Sequence, residues 1–322
     1  MTELECFLEQ EDIAFQQNVS LKKKTWIKQG GVCSFWITPH NIKQLHSLCS
    51  FLYEKEILFE LVGQTSNLFF SNSYNPSVII STIKVTDYAE CDNDTICCEC
   101  GVSVAKLARE CVNKGYKGFF GLIELPGTVG AAIYNNASCF GCSLSTMLMN
   151  ITYLSPSEGL ITLSNEELAF THRSSVFKRH EKEGVILSIN LRIDKSGDKS
   201  VEIEKAEDVR IRRKMNQEGS LNNLGSIYSR RQVKRNLRNI IGEKIANLLF
   251  KLSVINKRAK ILKKIILLLY GYKHLDKYIS DKNINTFIWR DDESELAFEH
   301  YKRFMKMYCE DLEMEIEEKK NR

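Results

Sequence analysis

Leu125-Pro126-Gly127-Thr128-Val129-Gly130-Ala131-Ala132 is a turn with almost no side-chain bulk. Such a turn lets backbone N–H groups come close to a phosphate, because nothing projects from the α-carbons to hold it off. Gly63-Gln64-Thr65-Ser66-Asn67 is a second turn, directly after the apolar run Ile57 to Val62. Two such loops, each behind a strand-like run, point to a dinucleotide cofactor gripped at its pyrophosphate. The cysteines raise a different chemistry. Cys97-Cys98-x-Cys100 lies near Cys91 and Cys111 in sequence, but zinc sites need paired knuckles or Cys with His at regular spacing. On a strand, Cys98 and Cys100 share one face and Cys97 takes the other, so buried free thiols are expected and no metal site. The six histidines show no ligand-like spacing.

The elements that would position these loops follow from periodicity. Pro39 to Glu54 reads as a helix with Ile42, Leu45, Leu48, Cys49 and Leu52 on one face. Ile57 to Val62, Ser77 to Ile83 and Thr95 to Cys100 read as strands. Ser103 opens a helix that Gly115 ends. Ile151 to Ser155 and Val185 to Ile193 are strands again, and Thr162 to Glu167 reads as a strand end followed by a capped helix start. Asp194 to Lys199 is a polar hinge, with helices predicted over Ala206 to Met215 and most of Val233 to Leu269. A final amphipathic helix or helix pair is predicted over Glu295 to Glu318. Strands and helices mix without a regular βαβ succession, which points to an α+β fold.

The 322 residues suffice for two or three domains, and the 43% apolar and 27% charged content is that of soluble globular proteins. The acidic N-terminus lacks a signal-peptide pattern, and the longest apolar run, Ile265 to Tyr270, is too short to span a bilayer. Eleven cysteines in a chain of this length do not make a disulfide scaffold, so a cytoplasmic protein is expected. Net charge is +4, yet thirteen Lys and Arg stand against one acid, Glu243, between Arg230 and Lys273. A block of +12 inside an otherwise acidic chain implies an anionic partner or a solvated helix face.

Taken in order, these segments resemble the UDP-N-acetylenolpyruvoylglucosamine reductase (MurB) family of flavoproteins. Asn18-Val19-Ser20-Leu21-Lys22 with Thr25 and Gly30-Gly31 is similar to the family's opening. Gly63-x-x-Ser66-Asn67-Leu68 resembles its first FAD loop, and Leu125 to Gly130 with Asn136-Ala137 and Gly141 its second. Leu163 to Leu168 with Phe170, Arg173, Ser175 and Phe177 is similar to the segment of its active-site arginine. Gln217 followed by Gly225-Ser226-Ile227-Tyr228 resembles its catalytic-serine motif, and Leu312 to Ile316 its C-terminal glutamate motif. The resemblance covers Asn18 to Asn223 well and the remainder in patches.

The resemblance implies a two-part FAD-binding domain of the PCMH/VAO type followed by a modified MurB-like substrate domain. Its implied boundaries are 1–83 and 84–198 for the two FAD lobes, 199–307 for a divergent basic substrate domain, and 308–322 for a segment packing back near the active site. Gly63, Gln64, Thr65, Ser66, Asn67, Pro126, Gly127, Thr128, Gly130, Ala131 and Ile186 would hold FAD. NADPH would give hydride to FAD, and the flavin would pass it to the enol ether of an enolpyruvyl-sugar nucleotide, leaving a lactyl ether. Arg173 would hold the substrate carboxylate in its planar fork. Glu315, as a neutral buried acid, would share that task. Ser226 would deliver the proton, and Tyr228, Arg230 and Arg231 would bind substrate.

The chain also departs from the family. Thr65, Glu124, Ala131 and Ser138 stand where glycines are usual, and each adds bulk beside the implied phosphate; Glu124 adds repulsion. His172 replaces a tyrosine, and Ser229-Arg230-Arg231 replaces Lys-Asn-Pro. Ser280-Asp281-Lys282-Asn283 resembles a later motif, with Asn283 in place of histidine. Two readings of the basic block follow. Arg230, Arg231, Lys234 and Arg235 bind an anionic substrate, or Ala246 to Tyr272 is a basic amphipathic helix touching an anionic membrane or a protein partner through Lys257, Arg258, Lys260, Lys263 and Lys264 beside Ile261, Leu262, Ile265 and Leu268. No nucleic-acid motif accompanies the charge, so nucleic acid is not an expected partner, and nothing in the sequence assigns an oligomeric state. The rival to the enzyme reading is a paralogue that keeps the fold, has lost catalysis and binds through residues 230–273.

Overall fold

The apolar spacing of the first half is realised as buried helix faces. The computed structural model describes residues 2–92, 94–219, 221–252 and 258–321. In chain order the elements are α1 (Glu3–Gln10), β1 (Ala14–Ser20), β2 (Val32–Thr38), α2 (Ile42–Glu54), β3 (Glu60–Val62), β4 (Leu68–Phe70), β5 (Val78–Ser81), β6 (Tyr88–Asp92), β7 (Thr95–Glu99), α3 (Val104–Asn113), α4 (Val129–Tyr134), β8 (Ser138–Cys139) and β9 (Cys142–Ser143). Then follow β10 (Leu148–Ser155), β11 (Gly159–Ser164), β12 (Val185–Arg192), α5 (Lys199–Asn216), β13 (Tyr228–Val233), α6 (Leu237–Leu252), α7 (Arg258–Leu269), α8 (Ser294–Tyr308), β14 (Cys309–Met314) and β15 (Glu317–Lys319).

Asn41 caps α2 by accepting the Gln44 N–H, and Leu45, Leu48, Cys49 and Leu52 are its buried face. Ser103 caps α3, which buries Val104, Leu107, Ala108, Cys111 and Val112. Each fully buried leucine of this kind contributes about 1.5–3 kcal/mol.

The chain divides into two compact units. The first holds Met1–Ser20, Val32–Thr65 and Asn75–Arg210; the second holds Leu21–Gly31, Ser66–Tyr74 and Ile211–Arg322. This partition differs from a lobe running unbroken over 1–83. Ile27 and Phe69 pack into the core of the second unit with Phe287, Trp289, Phe298 and Tyr301, so their segments belong to it. Among the described residues the first unit carries two larger sheets and the two-stranded β8–β9 ribbon. One has strand order β1-β2-β5-β3, the other β11-β10-β12-β7-β6 with every neighbour antiparallel. The second unit pairs β13 with β14 antiparallel and β15 with β4 in parallel.

Two expectations are corrected. The helix predicted over Glu295 to Glu318 stops at Tyr308, and the chain continues as β14 and β15. Beyond Tyr308 the apolar residues Leu312, Met314 and Ile316 recur every second position, which suits a strand and not a helix. The capped helix start at Thr162 to Glu167 is one short turn, Glu166–Leu168, ended by Ala169 in the left-handed region.

The thiol reading also changes. Cys91 and Cys97 are joined in a disulfide across the β6–β7 hairpin, where Ala89 pairs with Cys97 and brings the two cysteines into reach. Cys98, Cys100 and Cys111 are free and buried, and burial pushes each thiol up to about 12. Cys6 is free and exposed. Only the thiolate reacts with an alkylating agent. Iodoacetamide on the folded protein near pH ~8 is therefore expected to mark Cys6 and spare Cys98, Cys100 and Cys111. Peptide mass spectrometry reads the result, and native labelling of Cys100 would contradict this packing.

Candidate active site

The two low-bulk loops meet in the first unit. β3 ends at Val62, and a methyl group placed on Gly63 would lie 2.6 Å from Thr128 Oγ1 and 3.0 Å from its Cγ2. Gln64 Oε1 accepts the Gly127 N–H at 2.9 Å. Thr128 is the N-cap of α4 and accepts the Ala131 N–H at 3.4 Å. Val129 and Gly130 donate to the carbonyls of Val102 and Cys100, both at 2.8 Å. Gly130 is thus a packing position rather than a phosphate donor: a Cβ there would lie 2.9 Å from the Cys100 Cβ. The donors of Gly127 and Ala131 are held by side-chain oxygens, which a phosphate oxygen can replace.

Thr65 has φ +55°, so the position where the family favours glycine does require the left-handed region. A β-branched residue there carries strain of roughly 1–2 kcal/mol. Glu124 is exposed and faces the Arg210 Nε at 3.7 Å, so its charge is partly answered and its side chain does not fill the loop. Pro126 is exposed and Ala131 half-buried. Ile186 is a core residue of β12, paired with Tyr153. The residues around Gln64 and Gly127 therefore fit a dinucleotide diphosphate, with Gly130 and Ile186 acting through packing.

Arg173 sits beyond the other end of α4. Thr171 and Ser174 exchange two backbone hydrogen bonds, which folds His172 and Arg173 into a tight turn with Arg173 at φ +54°. The Asn136 Nδ2 donates to the Thr171 carbonyl at 2.7 Å, and the Ser175 hydroxyl donates to the Tyr134 carbonyl at 2.7 Å. The half-buried Arg173 guanidinium donates to the Ser138 carbonyl at 2.9 Å and its hydroxyl at 3.1 Å. Ser138, which the sequence offers only as added bulk, orients the arginine. Asn136 was legible as part of the second-loop motif, but its hold on the arginine turn was not.

The second unit gathers Asn67, Ser226 and Glu315. Glu315 donates its N–H to the Ile227 carbonyl at 2.8 Å, next to Ser226. Asn67 donates its side-chain amide to the Glu315 carbonyl at 3.2 Å and accepts the Glu317 N–H at 3.0 Å. Ser66, Ser226 and Glu315 are half-buried. The expected substrate contacts behave differently. Tyr228 is buried against Tyr301, its backbone is held by Asn285 on both sides, and burial pushes its phenol well up. Arg230 Nε faces Glu313 at 3.2 Å, and Arg231 is exposed and lies against Cys309. Gln217 accepts from Arg213 at 3.1 Å. Ser280 donates to Glu218 at 2.6 Å and caps its own turn, so this motif has a structural role here.

Residues 34–164 match the FAD binding domain family. The UDP-N-acetylenolpyruvoylglucosamine reductase of Caldicellulosiruptor saccharolyticus is 29% identical over 224 residues, covering 69% of this chain and 71% of its own. That of Thermosipho melanesiensis is 30% identical over 213 residues, covering 66% of this chain and 70% of its own. This chain belongs to the UDP-N-acetylenolpyruvoylglucosamine reductase family. A solved family structure from Thermus caldophilus shares the fold, with a TM-score of 0.63 at 17% identity over 95% of this chain and 98% of that one. The fold is α+β with an FAD-binding domain. Among the described residues no helix is long and apolar enough to cross a membrane.

In this family member the Gly63–Thr128 approach fixes both loops, so Gly63→Ala must displace the α4 cap. It is expected to lower stability by about 1–3 kcal/mol and to cut the flavin content of the purified protein. Thermal unfolding and the visible absorbance read these two effects. An unchanged melting temperature with full flavin would contradict the tie between the loops.

Proposed function

We propose that this chain is an FAD-dependent reductase of UDP-N-acetylenolpyruvoylglucosamine that draws its hydride from NADPH. The observation that carries the reading is family membership over 70% of a relative's length. The junction of the Gln64 and Gly127 loops supports it. NADPH as donor follows the family resemblance.

FAD, when bound, supplies the hydride that adds to the enol-ether double bond. The remaining work falls to side chains of this protein. Addition beside a carboxylate-bearing carbon builds negative charge on the substrate, and fixed positive charge must already face it. Arg173 is assigned that task. The Ser138 bonds and the 171–174 turn hold its guanidinium in one orientation before substrate arrives. Ser226 is assigned as proton donor, since a hydroxyl is small enough to sit beside the reacting carbon. Glu315, whose backbone is bonded to Ile227, shares the charge stabilisation. The exposed Arg231 is assigned to the substrate diphosphate, whereas Arg230 already answers Glu313. Tyr228 supports the site by packing against Tyr301.

Separating the two half-reactions tests the assignment. Under anaerobic conditions NADPH is expected to bleach the flavin of Ser226→Ala as fast as in the parent protein. Return of the oxidised spectrum on adding UDP-N-acetylenolpyruvoylglucosamine is expected to slow by a factor on the order of 10²–10⁴, the usual worth of a positioned proton donor. Unchanged turnover would remove Ser226 from the mechanism.

A further inference from the structure

The basic block does not form the single amphipathic helix expected over Ala246 to Tyr272. It contains two helices, α6 and α7, and Lys257 lies outside the described residues. Two of the lysines expected to face a partner are engaged elsewhere. Lys263 is buried, with its ammonium on Asp276 and Asp281 at 2.9 and 2.7 Å, and Lys260 meets Asp281 at 2.7 Å. Of the apolar face expected on α7, Ile261, Leu262 and Ile265 are half-buried and Leu268 is exposed, while the neighbouring Ile266 and Leu267 are buried.

The exposed surface belongs to α6, which packs small side in and large side out. Asn239 and Ala246 are buried, and a methyl group on Gly242 would lie 2.6 Å from Ile266 Cδ1. These positions let α6 approach α7 closely. The opposite face carries Leu237, Ile241, Ile245 and Leu248, spaced as one stripe along a helix. All four are exposed, Leu237 at 72% and Leu248 at 58%. Burial against the protein normally takes such a stripe, so its exposure over nearly three turns asks for another apolar phase. Lys244 and Lys251 fall at the margin of the stripe at helical spacing, and both are exposed. The acid of this helix, Glu243, projects from its other side.

We propose that this face of α6 docks on an anionic phospholipid surface, with the aliphatic stripe at the acyl boundary and Lys244 and Lys251 among the headgroups. Charge complementarity selects this occupant. A second copy of the chain docked by the same face would set Lys244 and Lys251 against their own counterparts. A nucleic acid would find aliphatic side chains where it needs aromatic platforms. An anionic bilayer answers both halves of the surface, the apolar stripe and the lysines at its edge.

Sedimentation of the full chain with vesicles tests the proposal. The protein is expected to pellet with mixed phosphatidylglycerol–phosphatidylcholine vesicles and to bind phosphatidylcholine alone at least about tenfold more weakly. Lys244→Glu with Lys251→Glu, and separately Ile241→Ser with Leu248→Ser, are each expected to lower binding to the mixed vesicles about tenfold or more. All four positions are exposed, so circular dichroism melting curves are expected to match the parent and exclude unfolding as the cause. Absence of binding to the mixed vesicles, or binding that neither variant weakens, overturns the proposal. So does a parent that light scattering shows to be oligomeric and that Ile241→Ser with Leu248→Ser converts to a monomer, because the stripe would then be an interface between copies.

Discussion

There is no room for a methyl group between Gly63 and Thr128, and much of the first unit is arranged around that fact. The close approach sets the strand end β3 against the cap of α4. It lets Gln64 reach the Gly127 N–H, so the two loops behave as one. A second close approach, Gly130 against Cys100, seats α4 on the end of β7. Downstream of α4, residues 134–138 hold the turn that carries Arg173. The Gly127 loop, the short helix and the Arg173 turn are therefore one continuous piece of packing.

The departures from the family pattern take on physical meaning in this frame. Thr65 keeps the left-handed backbone that glycine adopts freely, at the cost of strain. Glu124 is turned toward Arg210. Ser138 adds a hydroxyl that the arginine uses. Of the bulk that suggested a disabled cofactor site, Thr65 is strained and Glu124 redirected, while Ala131 is half-buried with its N–H on the Thr128 hydroxyl.

Legibility in the sequence followed how strongly one face of an element is buried. Leu45, Leu48, Cys49 and Leu52 were readable as a helix face because the spacing and the burial agree. The β1–β2 hairpin was not foreseen, since Phe15-Gln16-Gln17-Asn18 is polar and mostly exposed and carries no clear alternation. The C-terminal strands hid inside a run of acids whose charge suggested a solvated helix. α6 was readable as a helix, but its inward face was not: large aliphatic residues ordinarily mark the core, and here small ones do. The glycines of the second loop were readable as special, yet only the structure separates Gly127, whose N–H a side chain holds, from Gly130, whose N–H the sheet takes. For the second unit the motifs around Ser226 and Glu315 were readable, but the burial of Tyr228 was not, because an aromatic beside a motif looks the same whether it faces a ligand or the core.

The central claim is that two tied loops of this chain grip the diphosphate of FAD. Titration of the apoprotein with FAD, followed by quenching of flavin fluorescence and by the rise in melting temperature, tests it most directly. The account predicts saturation at one flavin per chain and a melting temperature that climbs with flavin concentration, as ligand linkage requires. Flavin fluorescence that stays unquenched, together with a melting temperature indifferent to FAD, would contradict it.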